Sequence, residues 1–527
     1  MAFPFPDAET AAVALLSSTR ACSPNDPAGE MTVQETERPP RRPLAAPRER
    51  SAGSLALDHI WWLVAGFVVV ISLVILLLAR TRPGYDPYGW LVWGHQTLHL
   101  SLNLGGAPSW KPLPYIFTVP YGLFGHYALW LWMVTAVSIS LAGPIVAGRI
   151  AYRLVGTARG QRYPAIAAAI VGGLAVLAIE AYAHYILSVQ SDPMIVTLCL
   201  AAVDCHLSRR PLWAFGLLVL AALGRPETWP FLGIYAIWAW RELPRMRPLL
   251  YAGLALVPIL WFGIPTITNH RPLLAGELAE LSPHQLHQNK IVGTVQRFLD
   301  LQFLPIKLAA LAAVAIAAYR RDRTVLVLAG AGVLWVLIEI GFVLHGWPGV
   351  QRYMFEPAGV AAVLAGVGIG WILQAAPRVG RGIPAWAGIL LVAVFVGAVV
   401  PDAVSAVRSE QRDLGHERSR TTEINKLKST ITSLGGYKRI LACGRPVTDV
   451  EYVSVLGWYI GLNTGVIGYR PQFELAHTYP IVLLTALPNG WAVKPYHVPA
   501  SNQAACAGLD ALYVPTARHP HGVLVRK

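Results

Sequence analysis

The chain has 527 residues, of which 54% are hydrophobic and only 14% charged, with 18 tryptophans and a net charge of +14. That composition argues against a string of soluble domains and fits a polytopic membrane protein. The basic residues crowd into short loops between apolar runs, so the positive charge sets topology rather than engaging nucleic acid. Five cysteines are present without a CxxC pair or a His/Cys cluster, which argues against a structural zinc or a redox motif.

Residues 1–57 are rich in Pro, Ala, Arg and Glu, as in Arg38-Pro39-Pro40-Arg41-Arg42-Pro43. They read as a disordered cytoplasmic tail with no signal peptide, and Arg48 and Arg50 hold the first helix on the inside. Ile60 to Ala79 is almost free of polar atoms and long enough to cross the hydrocarbon core. Further apolar runs fall at 126–148, 164–180, 193–207, 212–223, 229–240, 249–265, 301–318, 324–344, 357–373 and 384–400. The expected fold is a polytopic α-helical membrane domain over 58–400, with about eleven transmembrane helices. Residues 212–240 read either as two short spans or as a re-entrant hairpin broken at Gly224-Arg225-Pro226-Glu227.

Charge tests the parity. With the N-terminus inside, the inner loops hold about 14 Lys/Arg in about 45 residues and the outer loops about 8 in about 110. The expected protein is thus a multi-pass plasma-membrane protein whose C-terminal region lies outside. From Pro401 the composition turns polar, and Thr421 to Leu434 reads as a helix ended by Gly435-Gly436. Short apolar runs at Arg439–Ala442, Pro480–Leu484 and Ala511–Val514, with a helix-like Val450–Ile460 between the first two, read as a small extracytoplasmic α/β domain over 401–527. Cys443 and Cys506 both fall there. A disulfide between them would help so small a core, the alternative being two free thiols.

The unusual polar residues collect on the expected outer side. Gly84-Tyr85-Asp86-Pro87-Tyr88-Gly89-Trp90 follows the first span and leads to Ser109-Trp110-Lys111-Pro112-Leu113-Pro114. Asp86 could serve as a proton acceptor or, beside Pro87, merely as a helix N-cap. Tyr88 to Leu100 reads as an amphipathic interfacial helix with Trp90 and Trp93 at headgroup level. Glu180 and His184 are spaced to share one helix face, and Asp192 in Ser191-Asp192-Pro193 opens the next helix. Arg225 and Glu227 flank a helix-breaking proline within an apolar run, which demands a wet cavity or mutual pairing. Arg352-Tyr353 precedes a late apolar helix, where an arginine is either a phosphate ligand or a lipid snorkel. The loop 266–300 adds His270, Arg271, His284, His287 and Lys290. Walker, nucleophile-elbow and HExxH motifs are not found.

The order and common sidedness of these features resemble the GT-C superfamily of membrane glycosyltransferases, over residues 60–527. The resemblance rests on Asp86 after the first helix, the aromatic segment behind it, Lys111-Pro112-Leu113-Pro114, Ser191-Asp192-Pro193, Arg225-Pro226-Glu227, Arg352-Tyr353 and the C-terminal domain. One departure is that Asp86 stands beside Pro87, where many relatives carry paired acids. The resemblance implies a hexosyl- or pentosyltransferase that moves a sugar from a polyprenyl-phosphate donor to a glycan or lipid-linked acceptor at the outer face, with inversion. It implies Asp86 as general base and Arg352, Arg225 and Lys111 around the donor phosphate. Glu180, His184, Asp192, Glu227, Tyr88 and Trp110 would meet sugar or acceptor, and the aromatics Tyr452, Trp458, Tyr459 and Trp491 would offer an acceptor surface. A divalent metal could assist the phosphate, but no ligand set is legible. A transporter or flippase for a lipid-linked glycan is the alternative; two related halves would favour it, and none is seen.

Overall fold

The computed structural model describes residues 52–106, 110–156, 162–280, 285–286, 289–375, 386–477, 480–487, 490–509, 511–516 and 519–526. Most of the expected N-terminal tail, together with His284 and His287, lies outside the described residues. The helices in chain order are α1 (Ala52–Ala79), α2 (Tyr85–Leu98), α3 (Pro112–Gly122), α4 (Ala128–Val155), α5 (Tyr163–Leu177), α6 (Tyr182–Leu187), α7 (Asp192–Leu207), α8 (Pro211–Gly224), α9 (Trp229–Glu242), α10 (Arg247–Pro258) and α11 (Ile264–Asn269). They continue with α12 (Leu274–Glu280), α13 (Lys290–Asp300), α14 (Leu304–Arg320), α15 (Arg323–His345), α16 (Phe355–Ala375) and α17 (Trp386–Ser433).

Among the described residues, six helical segments are long and apolar enough to cross a membrane alone, or seven if α13 and α14, bent by 100°, form one span. The remaining apolar runs also fold as helices but are shorter, such as α5 with 15 residues and α8 with 14. The protein is a multi-pass helical membrane protein. α16 is its central post, buried along almost its whole length between α4, α5 and α14. Glycines make that possible: a Cβ on Gly368 would lie 2.2 Å from the Ala309 carbonyl oxygen, and one on Gly366 2.4 Å from that of Ala168. Small residues let helix backbones touch where lipid supplies no hydrophobic drive.

Three expectations need correction. α2 is not an amphipathic surface helix: Trp90 and Trp93 are fully buried, because α3, α4 and the C-terminal unit all close on it. Glu180 and His184 do not share a helix face, since α5 ends at Leu177 and Ala181 takes a left-handed conformation (φ 59°) before α6 begins. Finally, the last span does not stop near residue 400. α17 is a single helix of 48 residues carrying Pro401 in its interior, so the polar turn in composition marks a change of surroundings rather than a helix end.

Beyond α17 the chain forms α18 (Tyr437–Cys443), α19 (Val453–Ile460), α20 (Pro471–His477) and α21 (Gln503–Cys506) around a five-stranded sheet. Its strands run in sequence order: β1 (Arg445–Thr448), β2 (Ile481–Leu487), β3 (Gly490–Tyr496), β4 (Ala511–Thr516) and β5 (His519–Arg526). β1 pairs with β2 in parallel and the other pairs are antiparallel. The short apolar run Arg439–Ala442 lies in α18, while Pro480–Leu484 and Ala511–Val514 fall at β2 and β4; a short apolar run has no periodicity to tell helix from strand. Cys443 and Cys506 are joined by a disulfide that ties α18 to α21.

The tight α16 crossing generates a prediction. Gly368→Ala should lower the stability of the detergent-solubilised protein by about 1–3 kcal/mol, read as a fall in thermal midpoint. Gly397→Ala on α17, where a Cβ meets nothing within 4 Å, should leave the midpoint in place.

Candidate active site

Between α1 and α2 the chain makes a short bend rather than a long loop. The Gly84 amide donates to the Ser188 carbonyl at 2.8 Å, and the Thr81 hydroxyl to that of Leu187 at 3.1 Å. From the other side, Arg418 on α17 donates to the Ala79 carbonyl at 2.8 Å and Arg420 to that of Pro83 at 2.8 Å. The Arg82 amide donates to the Thr421 hydroxyl at 2.8 Å. This bend delivers Asp86 in the first turn of α2, whose N-cap is Gly84. Asp86 is therefore not a cap. Its carboxylate faces Arg352, Oδ2 to Nη1 at 3.6 Å.

Arg352 leads into a second, wholly buried group of charges. Its Nη1 is 3.9 Å from Oδ2 of Asp192, which is 0% exposed at the start of α7. Asp192 also receives Arg225, as an ion pair and hydrogen bond to Oδ1, and Lys111, with Nζ at 3.6 Å from the same oxygen. The Lys111 ammonium additionally donates to Ser191 Oγ at 3.3 Å and lies 5.7 Å from the centre of the Trp90 ring. Burial pushes the pKa of Lys111 down, against the opposing pull of Asp192.

Arg225 is the centre of the group. It sits in extended conformation (φ −149°, ψ 132°) between α8 and the turn that starts α9. Its nitrogens reach Glu227 at 3.4 Å and Glu356 at 3.5 Å, the latter at ion-pair rather than hydrogen-bond geometry. Nη2 donates to the Arg352 carbonyl at 3.1 Å, and the guanidinium stacks on the Tyr353 ring at 4.3 Å. Glu339 of α15, fully buried, lies beside Glu227.

Of the residues singled out in the sequence, Asp86, Lys111, Asp192, Arg225, Glu227 and Arg352 meet in this one cluster. Arg225 is too enclosed, with its side chain only 3% exposed and three carboxylates around it, to offer an open phosphate site. Tyr88 and Trp110 are buried in packing: Tyr88 against Tyr459 of α19, and Trp110 between Trp93 and Tyr115 with Nε1 donating to Leu260. Glu180 is exposed, and His184 packs edge-on against Tyr185. Glu356 and Glu339 were missed. Glu339 is an acid within an apolar run, the same signal that marked Arg225 and Glu227, and Glu356 stands directly before one. Among the described residues, no three His, Cys, Asp or Glu side chains gather as a metal site.

The C-terminal unit stands at this same end of the bundle. α19 packs on α2, and Thr464 Oγ1 donates to the Gly105 carbonyl at 3.0 Å. Its aromatics mostly serve packing. Trp491 is fully buried, meets Tyr452 edge-on at 5.0 Å and donates to the Glu423 carbonyl of α17 at 2.8 Å.

The ion network predicts a division between variants. Arg225→Met leaves Asp192, Glu227 and Glu356 without their shared partner and should cost about 3–5 kcal/mol of stability. The check is the loss of monodisperse protein on size exclusion, whereas Asp86→Asn should purify normally.

No family model matches the chain, and comparison with curated proteins finds no match. Among solved structures, the chain is similar to ArnT from Cupriavidus metallidurans in the apo state, with a TM-score of 0.50 and 16% identity over 87% of this chain and 97% of that one. The crystal structure of ArnT bound to undecaprenyl phosphate gives a TM-score of 0.48 and 15% identity over 88% and 97%. With its helical bundle and C-terminal unit, this chain shares the fold of ArnT.

Proposed function

We propose that the protein is a membrane glycosyltransferase that takes a sugar from a polyprenyl-phosphate donor at the outer face of the membrane, with the C-terminal unit extracytoplasmic. One observation carries the reading: a carboxylate and a guanidinium from distant parts of the chain, Asp86 and Arg352, meet 3.6 Å apart at the edge of a buried ionic cluster. The Arg352 side chain is 24% exposed, against 11% for Asp86 and none for Asp192. Arg352 is thus the cation a donor phosphate meets first, with Lys111 behind it. The shared fold with ArnT supports the same class, and polyprenyl phosphate is the kind of ligand with which ArnT itself has been solved.

The chemistry follows from that pair. A phosphate that engages Arg352 draws the guanidinium away from Asp86 and releases the carboxylate to accept a proton. The acceptor hydroxyl then attacks C1 of the sugar, its proton passing to Asp86. The bond from C1 to the phosphate oxygen breaks, and its electron pair leaves with polyprenyl phosphate, held by Arg352. Attack from the face opposite the leaving group inverts the anomeric centre. Asp192, Glu227 and Glu356 hold the cations in place rather than react. For the acceptor, a glycan or glycolipid, the groove of about 720 Å³ between α17 and the sheet offers Glu423, Asp449, Glu451 and Tyr469 to sugar hydroxyls.

The test is transfer from a panel of radiolabelled polyprenyl-phosphate sugars by purified protein in proteoliposomes. Asp86→Asn should lower turnover by about 10²–10⁴-fold while the donor still binds. Arg352→Gln should weaken donor binding by about tenfold or more, the contribution of a charge-assisted pair. An unchanged rate in Asp86→Asn removes Asp86 from the mechanism. Movement of the lipid across the bilayer without sugar transfer would establish the flippase instead.

A further inference from the structure

α13 presents an exposed aliphatic face that sugar transfer does not use. The helix is firmly built. Asn289 caps its start, accepting from the Ile291 and Val292 amides at 3.1 and 3.2 Å. Lys307 of α14 donates to the Leu299 carbonyl at its end, at 2.9 Å. Ile291, Val295 and Leu299 recur every fourth residue and so share one side, with Val292 next to them; all four are between 37% and 59% exposed. Thr294 and Phe298 turn inward, and the helix packs on α15. Gln296 and Asp300 are exposed on a third, polar side.

The direction of α13 identifies what covers the aliphatic face. α14 lies along α16, which is long and apolar enough to cross the membrane. α13 meets α14 at 100° and therefore runs close to the membrane plane. The chain then enters α14 with Leu304, Leu308 and Leu311 exposed at helical spacing, as on a surface that hydrocarbon covers. The level of α13 is fixed as well. Arg297 donates from Nη1 to the Pro348 carbonyl at 2.8 Å and to that of Gly349 at 2.7 Å. Gly349 takes a left-handed conformation there (φ 55°), and the turn Gln351–Met354 that carries Arg352 follows at once. α13 thus lies at the Asp86 end of the bundle, beside the segment that presents Arg352.

We propose that α13 lies in the lipid–water interface of the leaflet on the Asp86 side, with Ile291, Val292, Val295 and Leu299 among the acyl chains, and that Arg297 ties the turn presenting Arg352 to that level. Helices with one apolar and one polar side settle at the boundary of headgroups and acyl chains, whereas a patch of aliphatics left in water marks a surface still to be covered. The three sides of α13 match three surroundings: protein at Thr294 and Phe298, lipid at Val295, water at Gln296 and Asp300. Arg297 reaches the turn through two backbone carbonyls, so it positions Arg352 rather than binding a ligand itself. A guanidinium carried on that turn stands at the depth where lipid phosphates lie. The placement does not depend on the transfer reaction.

The test is spin labelling of the full chain in liposomes of phosphatidylethanolamine and phosphatidylglycerol, with Cys22, Cys199 and Cys205 replaced by alanine and the Cys443–Cys506 disulfide kept. Collisions with oxygen and with a water-soluble nickel chelate give the depth of each label. A label at Val295→Cys should lie about 5–10 Å below the phosphates, and one at Asp300→Cys should stay in water. A label at Gln351→Cys reads the turn. Arg297→Gln should sharpen its spectrum as the turn is released, and Arg297→Lys, which keeps a cationic donor, should sharpen it less. A label at Tyr319→Cys, at the far end of α14 and 91% exposed, should be unchanged, which separates local release from unfolding. Val292→Asp combined with Leu299→Asp alters only exposed positions, keeps Arg297 and should move the Gln351→Cys label toward water. Water at both α13 positions, or oxygen at both, overturns the seating. A Gln351→Cys label unmoved by the double aspartate variant overturns the tie, whatever Arg297→Gln does to folding. Dipolar broadening between labels at Val295→Cys marks a second copy of the chain on that face and overturns the lipid assignment.

Discussion

The structure depends on how one guanidinium is housed. Arg225 is buried in a bundle made mostly of aliphatic and aromatic side chains, where an unpaired charge costs several kcal/mol. It is tolerated because Asp192 at the head of α7, Glu227 in the turn into α9 and Glu356 at the head of α16 converge on it. Each carboxylate is equally costly alone. The four side chains therefore fix one another, and with them the ends of α7, α8, α9 and α16. The extended backbone at Arg225 belongs to the same arrangement, since an unbroken helix would carry that side chain around the axis instead of into the gap between helices.

From this centre the charges grade outward. Asp192 is shared by Arg225, Lys111 and Arg352, so it is held and neutralised from three sides. Asp86 has only Arg352 among its ion pairs in the described residues, and that partner is the most exposed member of the set. A group held from three sides can orient its neighbours but cannot readily change partner. A group at the rim with a single partner can. That difference in enclosure, rather than any feature of the carboxylates themselves, separates the supporting role proposed for Asp192 from the reactive role proposed for Asp86.

The sequence was readable where physics is local and opaque where it is not. Apolar runs of spanning length declare themselves, and each expected run carries a helix. Charges inside such runs also declare themselves, which is how Arg225 and Glu227 came forward, and those at the heads of runs do so too, as with Asp192 and Arg352; Glu339 and Glu356 met these criteria without being picked out. The burial of Trp90 and Trp93 was not readable, because it comes from tertiary packing: Trp132 of α4 meets Trp90, Trp110 meets Trp93, and α19 closes over the same helix. The pairing of Asp86 with Arg352 is likewise a property of tertiary assembly. Tyr88 and Trp110 look like sugar-stacking aromatics in sequence, and only packing shows that their rings face other rings.

The same network bears on the choice between enzyme and transporter. Alternating access needs one part of a bundle to rock against another around a fixed site. Here the elements that would have to part are joined through buried charge: α3 to α7 by Lys111 and Asp192, and α7 to α8 and α16 by Asp192, Arg225 and Glu356. Separating them would strand several ions in a low-dielectric interior at once, each at a cost of several kcal/mol. The C-terminal unit adds a further tie, holding α2 through α19 and the loop after it through Thr464. A rigid frame of this kind suits a site that must hold a base and a cation in register while substrates come and go at its edge. It does not suit one that must open first to one side of the membrane and then to the other.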